Sequence, residues 1–237
     1  MKRKRRQSRS KSRRGWQPDL PFTPRGGKRR GAGRPKKADS GVSHLTRAPL
    51  AARFPVHVTV RVRAGMPSMR RKGAHTALRR AFYAGRDRFG FRLNHYSIQS
   101  NHIHLIVEAK DRTALTRGMQ GLSIRIAKAL NRAWDRKGKL FADRYHDHIL
   151  RTPREVKNAL NYVLRNELRH NTLTIGAPDP HTSGEGFDGW RNYHPDETLV
   201  PPPPIVPPHT WLLNKGWRRH GLIVLPIYVP SPLRARR

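Results

Sequence analysis

The chain has 237 residues, of which 50 are Lys or Arg and 15 are Asp or Glu, so its formal charge is +35; only 35% are hydrophobic. That balance excludes a chain packed from end to end, because self-repulsion on this scale calls for a polyanion nearby, and nucleic acid is the partner it implies. With no cysteine, disulfides and thiolate metal sites are excluded and a reducing cytoplasm fits; no apolar run approaches the roughly 20 residues that cross a bilayer, so no membrane partner is expected.

Residues 1–37 hold 16 Lys and Arg against one acid. Such a stretch cannot bury a core, and residues 1–50 are expected to be a disordered basic arm. Within it, RGAGRPKK (30–37) resembles an AT-hook, whose Gly-Arg-Pro core, here with Arg34, lies in the narrow minor groove of A·T-rich DNA. Sequence-independent attraction to phosphate accounts for the same residues.

The centre of the chain is periodic. RFPVHVTVRVR (53–63) alternates, with Phe54, Val56, Val58, Val60 and Val62 on one face of a half-buried strand. HTALRRAFYAGRDRFG (75–90) places Leu78, Ala81, Phe82, Gly85 and Phe89 at helical spacing. FRLNHYSIQS and NHIHLIVEA follow as strands separated by a turn or bulge near Ser100 and Asn101. A helix is predicted over about 112–136 on the stripe Leu115, Met119, Leu122, Ile126, Leu130 and Trp134, with Arg125 among the cations lying mostly away from it. A strand around 143–151 and a helix over 153–169 complete the set. The predicted class is α+β: a ferredoxin-like (RRM-like) βαββαβ sheet over residues 51–172, with an added C-terminal helix carrying a tyrosine. One sheet face should be covered by the two crossover helices and the other left open. PPPPIVPP (201–208) reads as a polyproline spacer, so the compact part is expected to end near residue 172. Residues 173–237 then form a Pro-rich linker and tail, whose apolar TWLLNKGWRRHGLI segment is able to dock back.

Two features carry chemistry. In QSNHIHLIVEA (99–109), alternation puts His102 and His104 on one face, roughly 7 Å apart and within reach of one metal ion, while Ile103, Leu105 and Val107 face the core. Two solvated or hydrogen-bonded strand histidines would give the same pattern. A second such pair, HDH at 146–148, has a charged middle residue and is read as a rim or DNA-contacting stretch, with a metal ligand as the lesser alternative. In the last helix, Thr152, Pro153 and Glu155 form a capping box. Val156, Ala159, Leu160, Val163, Leu164 and Leu168 then share an apolar arc from which Tyr162 is excluded. Tyr162 is therefore either an amphipathic surface residue or a functional one; Asn166, one turn on, shares its face.

SIQSNHIHLIVEA, GKLFADRYHDHILRT and ALNYVLRNELRH, in this order, resemble the REP-associated tyrosine transposases, relatives of the single-tyrosine HUH transposases of small bacterial insertion sequences, over about residues 54–172. The resemblance implies that His102, His104 and Asn166 ligate a divalent metal, Mg²⁺ or Mn²⁺, and that Tyr162 is the catalytic nucleophile. It further implies a metal-dependent endonuclease and strand transferase that cleaves single-stranded or hairpin DNA through a 5′-phosphotyrosine link. A monomer or homodimer in the bacterial cytoplasm, associated with the nucleoid, is expected. Glu167 departs from the family, which usually has proline there. Arg125, Arg144, Arg165 and Arg169 are candidate backbone contacts, and Tyr96, Tyr145 or Trp134 would stack on bases if exposed. Two rival readings are a non-catalytic nucleic-acid-binding protein on the same fold and a zinc hydrolase using His102, His104 and a residue of the 146–148 stretch; the latter lacks a suitably placed carboxylate base, since Glu108 shares the histidine face but lies two alternations beyond His104.

Overall fold

The computed structural model describes residues 47–165, 176–194 and 202–225. Strand β1 (Val56–Arg61) leads to helix α1 (Lys72–Gly85), a short strand β2 (Asp87–Arg88), β3 (Phe91–Ile98), β4 (His102–Ala109), α2 (Arg112–Ala133), β5 (His146–Ile149) and α3 (Pro153–Leu164). A one-turn helix α4 (Trp211–Asn214) follows late in the chain. The five strands form one antiparallel sheet in the order β2-β3-β4-β1-β5, so β4 and β1 are central.

The alternation read from β1 and β4 sets two layers. Val56, Val58, Val60, Ile103, Leu105 and Val107 are buried with Leu78 and Phe82 of α1 and with Leu115, Met119, Leu122 and Ile126 of α2. Asp111 caps α2 by accepting from Ala114 N–H at 2.7 Å. Helix α1 stops at Gly85, four residues short of Phe89, which is 84% exposed. Phe89 and Gly90 both have positive φ (52° and 79°) and join Arg88 to its partner Phe91, the two-residue hairpin geometry that matches strand twist. Helical periodicity had carried Phe89 into α1; the local turn overrides it.

The second sheet face is not left open. Helix α3 buries Val156, Leu160, Val163 and Leu164 with Ile106 of β4, and Phe187, Trp190, Leu212, Leu213, Trp217, Ile223 and Leu225 close over it. The packed core therefore extends well past residue 172. Part of the polyproline run is also more than a spacer: Val206 N–H donates to Leu93 O at 2.9 Å, and the carbonyls of Pro202 and Pro207 accept from Arg79 and Arg92. Proline carbonyls remain strong acceptors although their nitrogens donate nothing. Helix α3 ends at Leu164 with Arg165 as its C-cap, short of the expected end at residue 169; the basic arm through residue 46, with Arg34 in it, lies outside the described residues.

A bulge at Asn94, where the β3–β4 register shifts between Leu93 and His95, turns Asn94 and His95 together into this second layer. His95 is 5% exposed, beside Ser183 Oγ and the Phe187 ring. Burial lowers its pKa to about 4. His95 is thus neutral in the fold while the unfolded chain takes up a proton below about pH 6.5, so stability falls as pH drops from 6.5 towards 4. The loss from this one group is on the order of 3 kcal/mol, and His57 and His75, also held at about 4, act in the same direction. Urea unfolding at pH 7 and pH 4.5 should show a shallower pH dependence in His95→Gln; equal slopes would contradict the assignment.

Candidate active site

Alternation and strand register together build the site. His102 and His104 project from central strand β4, and the neighbouring positions on β1 are Arg61 and Thr59. Thr59 in turn pairs with His146, and His57 with His148, across β5. The face beneath α3 thus gathers histidines from three adjacent strands. His102 and His104 have ring centroids 4.7 Å apart, with planes nearly perpendicular.

The Nδ1 atoms of both histidines are turned to protein partners. His102 Nδ1 lies 2.7 Å from Asn101 Oδ1, while His104 Nδ1 lies 3.1 Å from Thr59 Oγ1 and 3.3 Å from His57 Nε2. Anchoring one ring nitrogen orients the other, the usual way a protein prepares an imidazole as a ligand or proton acceptor. His104 Nε2 faces the Tyr162 hydroxyl at 3.4 Å, and the two rings meet edge-on with centroids 4.9 Å apart.

Tyr162 reaches this point because α3 is held in register at its start. Thr152 Oγ1 accepts from Glu155 N–H at 3.2 Å, and Glu155 Oε2 accepts from Arg151 N–H at 2.6 Å. The apolar arc then faces the core, and the residue excluded from it faces the histidines. His57 was missed in the sequence, although VHVTVR puts it and Thr59 on the strand face opposite the valines. Its pKa is lowered to about 4, first by burial and then by His148 and His146, so it is neutral at pH 7 and its ring, 5.3 Å from that of His104, adds no charge to the site.

Two imidazoles converging from one strand can ligate a divalent ion whose remaining positions are filled by oxygen ligands or water, and the anchored Nδ1 atoms fit that use. Among the described residues no group of three or more His, Asp or Glu is arranged to hold a metal. The third expected ligand, Asn166, lies outside the described residues, as does Arg169. Glu108 is unavailable as a hydrolytic base: 3% exposed, it accepts from the backbone N–H groups of His209 and Thr210 and from Asn94 Nδ2.

The candidate arginines disperse. Arg165 caps α3 and binds Asn161 Oδ1 at 2.9 Å. Arg125 lies on α2, in the layer on the other side of the sheet from Tyr162. Arg144, exposed in the loop before β5, borders a groove with Arg47, Arg112 and Tyr145. Of the proposed stacking rings, Tyr96 is fully buried in the core, and Trp134 packs partly against that core. The Tyr145 ring is covered by the Arg47 guanidinium at 3.6 Å. Asp147, the charged residue between His146 and His148, points to the helix side and pairs with Arg47 and Arg112. Among the described residues no helix is long and apolar enough to cross a membrane.

Comparison with curated proteins finds no match. A solved structure of a REP-associated tyrosine transposase bound to a REP hairpin is similar over 60% of this chain and 82% of that chain, with 16% identity and a TM-score of 0.49. The family model described as IS200-like transposase matches residues 52–166, the stretch that contains both histidines and the tyrosine. Residues 52–166 are therefore similar to the IS200-like transposases.

Proposed function

We propose that this chain is a single-tyrosine HUH endonuclease and strand transferase of the REP-associated type, acting on single-stranded or hairpin DNA. The family is one of DNA-processing transposases, and the observation that carries the finer reading is the Tyr162 hydroxyl 3.4 Å from His104 Nε2, beside His102. The strand order supports taking the sheet as a ferredoxin-like split βαβ unit with one extra edge strand and an added tyrosine helix.

In this reading His102, His104 and Asn166 hold a Mg²⁺ or Mn²⁺ ion, which when bound would polarise the scissile phosphate and offset the charge of the leaving 3′ oxygen. Tyr162, fixed by the capped start of α3, is aimed at the histidine face. A phenol of ordinary pKa near 10 is a weak nucleophile, so placement matters more than reactivity. Its oxygen attacks the phosphorus in line, the 3′ oxygen departs with the bond electrons and becomes a 3′-OH, and the phenolic proton passes to solvent or a neighbouring base. The phosphodiester energy persists in the 5′-phosphotyrosine link, so attack by another 3′-OH rejoins DNA without ATP. Thr59 and His57 hold the His104 ring in place throughout.

The test is to incubate the full chain with Mn²⁺ and hairpin-bearing single-stranded DNA from the flanks of its own gene. A denaturing gel should show a covalent protein–DNA adduct that EDTA prevents, with the DNA mapped to Tyr162 by peptide mass. Binding without an adduct, across several metals and flanking hairpins, would leave a non-catalytic binding protein.

A further inference from the structure

Helices α1 and α2 form the layer on the sheet face opposite Tyr162, and a groove of about 810 Å³ runs between them. Its walls carry five cations: Lys72 and Arg80 from α1, and Arg125, Lys128 and Arg132 from α2. Its floor is made of small side chains, including Ala77, Ala81, Ala129 and Ala133. No acidic residue lines it, and none of the five cations takes part in a salt bridge among the described residues. The groove beside β5 differs: its Arg47 and Arg112 both pair with Asp147.

Five like charges along one cleft repel each other and cost stability unless an anion lies between them. The two rows are regular. From Lys72 to Arg80 the helix rises about 12 Å, and from Arg125 to Arg132 about 10 Å. Along one strand of a duplex, phosphates recur every 3.4 Å of axis, so a row of this length spans about three of them. No aromatic side chain lines the groove. Unpaired bases would therefore find no ring to stack on, whereas a paired strand presenting only phosphate and sugar needs none.

We propose that the α1–α2 groove is a second DNA site, which holds the sugar–phosphate backbone of double-stranded DNA without reading its sequence. One molecule then binds a duplex on its helical face while the tyrosine face remains available to a single strand. The groove does not depend on the tyrosine chemistry; it would serve equally if the histidine face were inactive.

The test compares the full chain with two triple variants of equal charge loss. Arg80→Gln, Lys128→Gln and Arg132→Gln remove three of the groove's five cations, and Arg117→Gln, Lys137→Gln and Lys139→Gln remove three exposed charges elsewhere. Fluorescence anisotropy with a labelled random duplex of about 20 base pairs, across a salt series, gives the number of released counterions. The groove variant should lower the slope of log K against log salt by about 2.7 and weaken binding at 0.15 M salt at least tenfold. The control should stay within about twofold of the parent affinity, the basic arm contributing alike to all three proteins. Equal losses in the two triples would overturn the proposal. Adduct formation on hairpin DNA, scored in the same preparations, reports on the tyrosine reading alone. A parent chain that makes no adduct but loses duplex affinity in the groove variant would keep the groove and lose the nuclease.

Discussion

Tyr162→Phe is expected to abolish the covalent adduct and to lower DNA cleavage by about 10³-fold or more, because removal of a nucleophile leaves only the binding and electrostatic contributions to rate. Fold and DNA affinity should survive. Tyr162 is only partly buried, its packing against the core beneath α3 is retained by the phenylalanine ring, and the lost hydroxyl contact to His104 is long at 3.4 Å. Melting temperature and hairpin affinity within error of the parent, with no adduct after prolonged incubation with Mn²⁺, is the expected pattern. Residual adduct at the parent rate would mean that another group attacks, and the tyrosine assignment would fall. His104→Ala makes an instructive companion. It should also remove cleavage, but through lost positioning, and it leaves Thr59 and His57 facing a vacated imidazole site, so a fall in stability is expected there and not in Tyr162→Phe.

Much of this geometry was legible in the sequence because it follows from short-range periodicity. Strand alternation in NHIHLIVEA separates His102 and His104 from the aliphatic set, and helical periodicity from the Thr152 cap puts Tyr162 outside the apolar arc. What brings the two faces together is tertiary: α3 packs on Ile106, between His104 and Glu108 on the same strand face. His57 and Thr59 carried the same signal as His104, since they sit on the alternate positions of β1. Which strand lies beside them, and in what register, is not contained in a local pattern, and their role appears only once Thr59 is set against His104. The arginines show the opposite failure. In a chain with 50 basic residues, a single arginine carries little positional information, and Arg125, Arg144 and Arg165 proved to lie on different parts of the molecule.

The TWLLNKGWRRHGLI segment docks back as its apolar residues suggested, but the extent of the packing between residues 176 and 208 was the largest miss, for a physical reason. Residues 176–194 and 202–225 bury apolar side chains with only α4 and short 3-10 turns as regular structure: Phe187, Trp190 and Trp217 are far apart or irregularly spaced in sequence, and they meet through ring contacts. Phe187 stacks on Trp217 with centroids 5.6 Å apart and meets Trp190 edge-on at 5.4 Å. Gly189 permits this packing, since a Cβ there would lie 2.3 Å from Phe187 Cζ and 2.5 Å from Trp217 Cη2. No periodicity marks such a cluster, and prolines on either side of Ile205 and Val206 suggest a spacer to any composition-based reading.

That cluster makes Trp217→Ala the second large effect. Trp217 is 1% exposed and belongs to the layer that covers α3 from outside. Its truncation should cost about 3–5 kcal/mol, the range for removing a large buried aromatic. Trp211, 48% exposed on the neighbouring α4, provides the comparison: Trp211→Ala should cost well under half as much. The functional consequence follows from position. Helix α3 lies between the sheet and this cover, so loosening the cover frees the helix that aims Tyr162, while His102 and His104, seated on a central strand, keep their places. Adduct formation in Trp217→Ala should therefore fall at temperatures well below its melting transition. Denaturant unfolding and single-turnover adduct rates measured side by side decide the matter. A stability loss of the expected size with an unchanged adduct rate would show that the cover stabilises the fold without positioning the tyrosine.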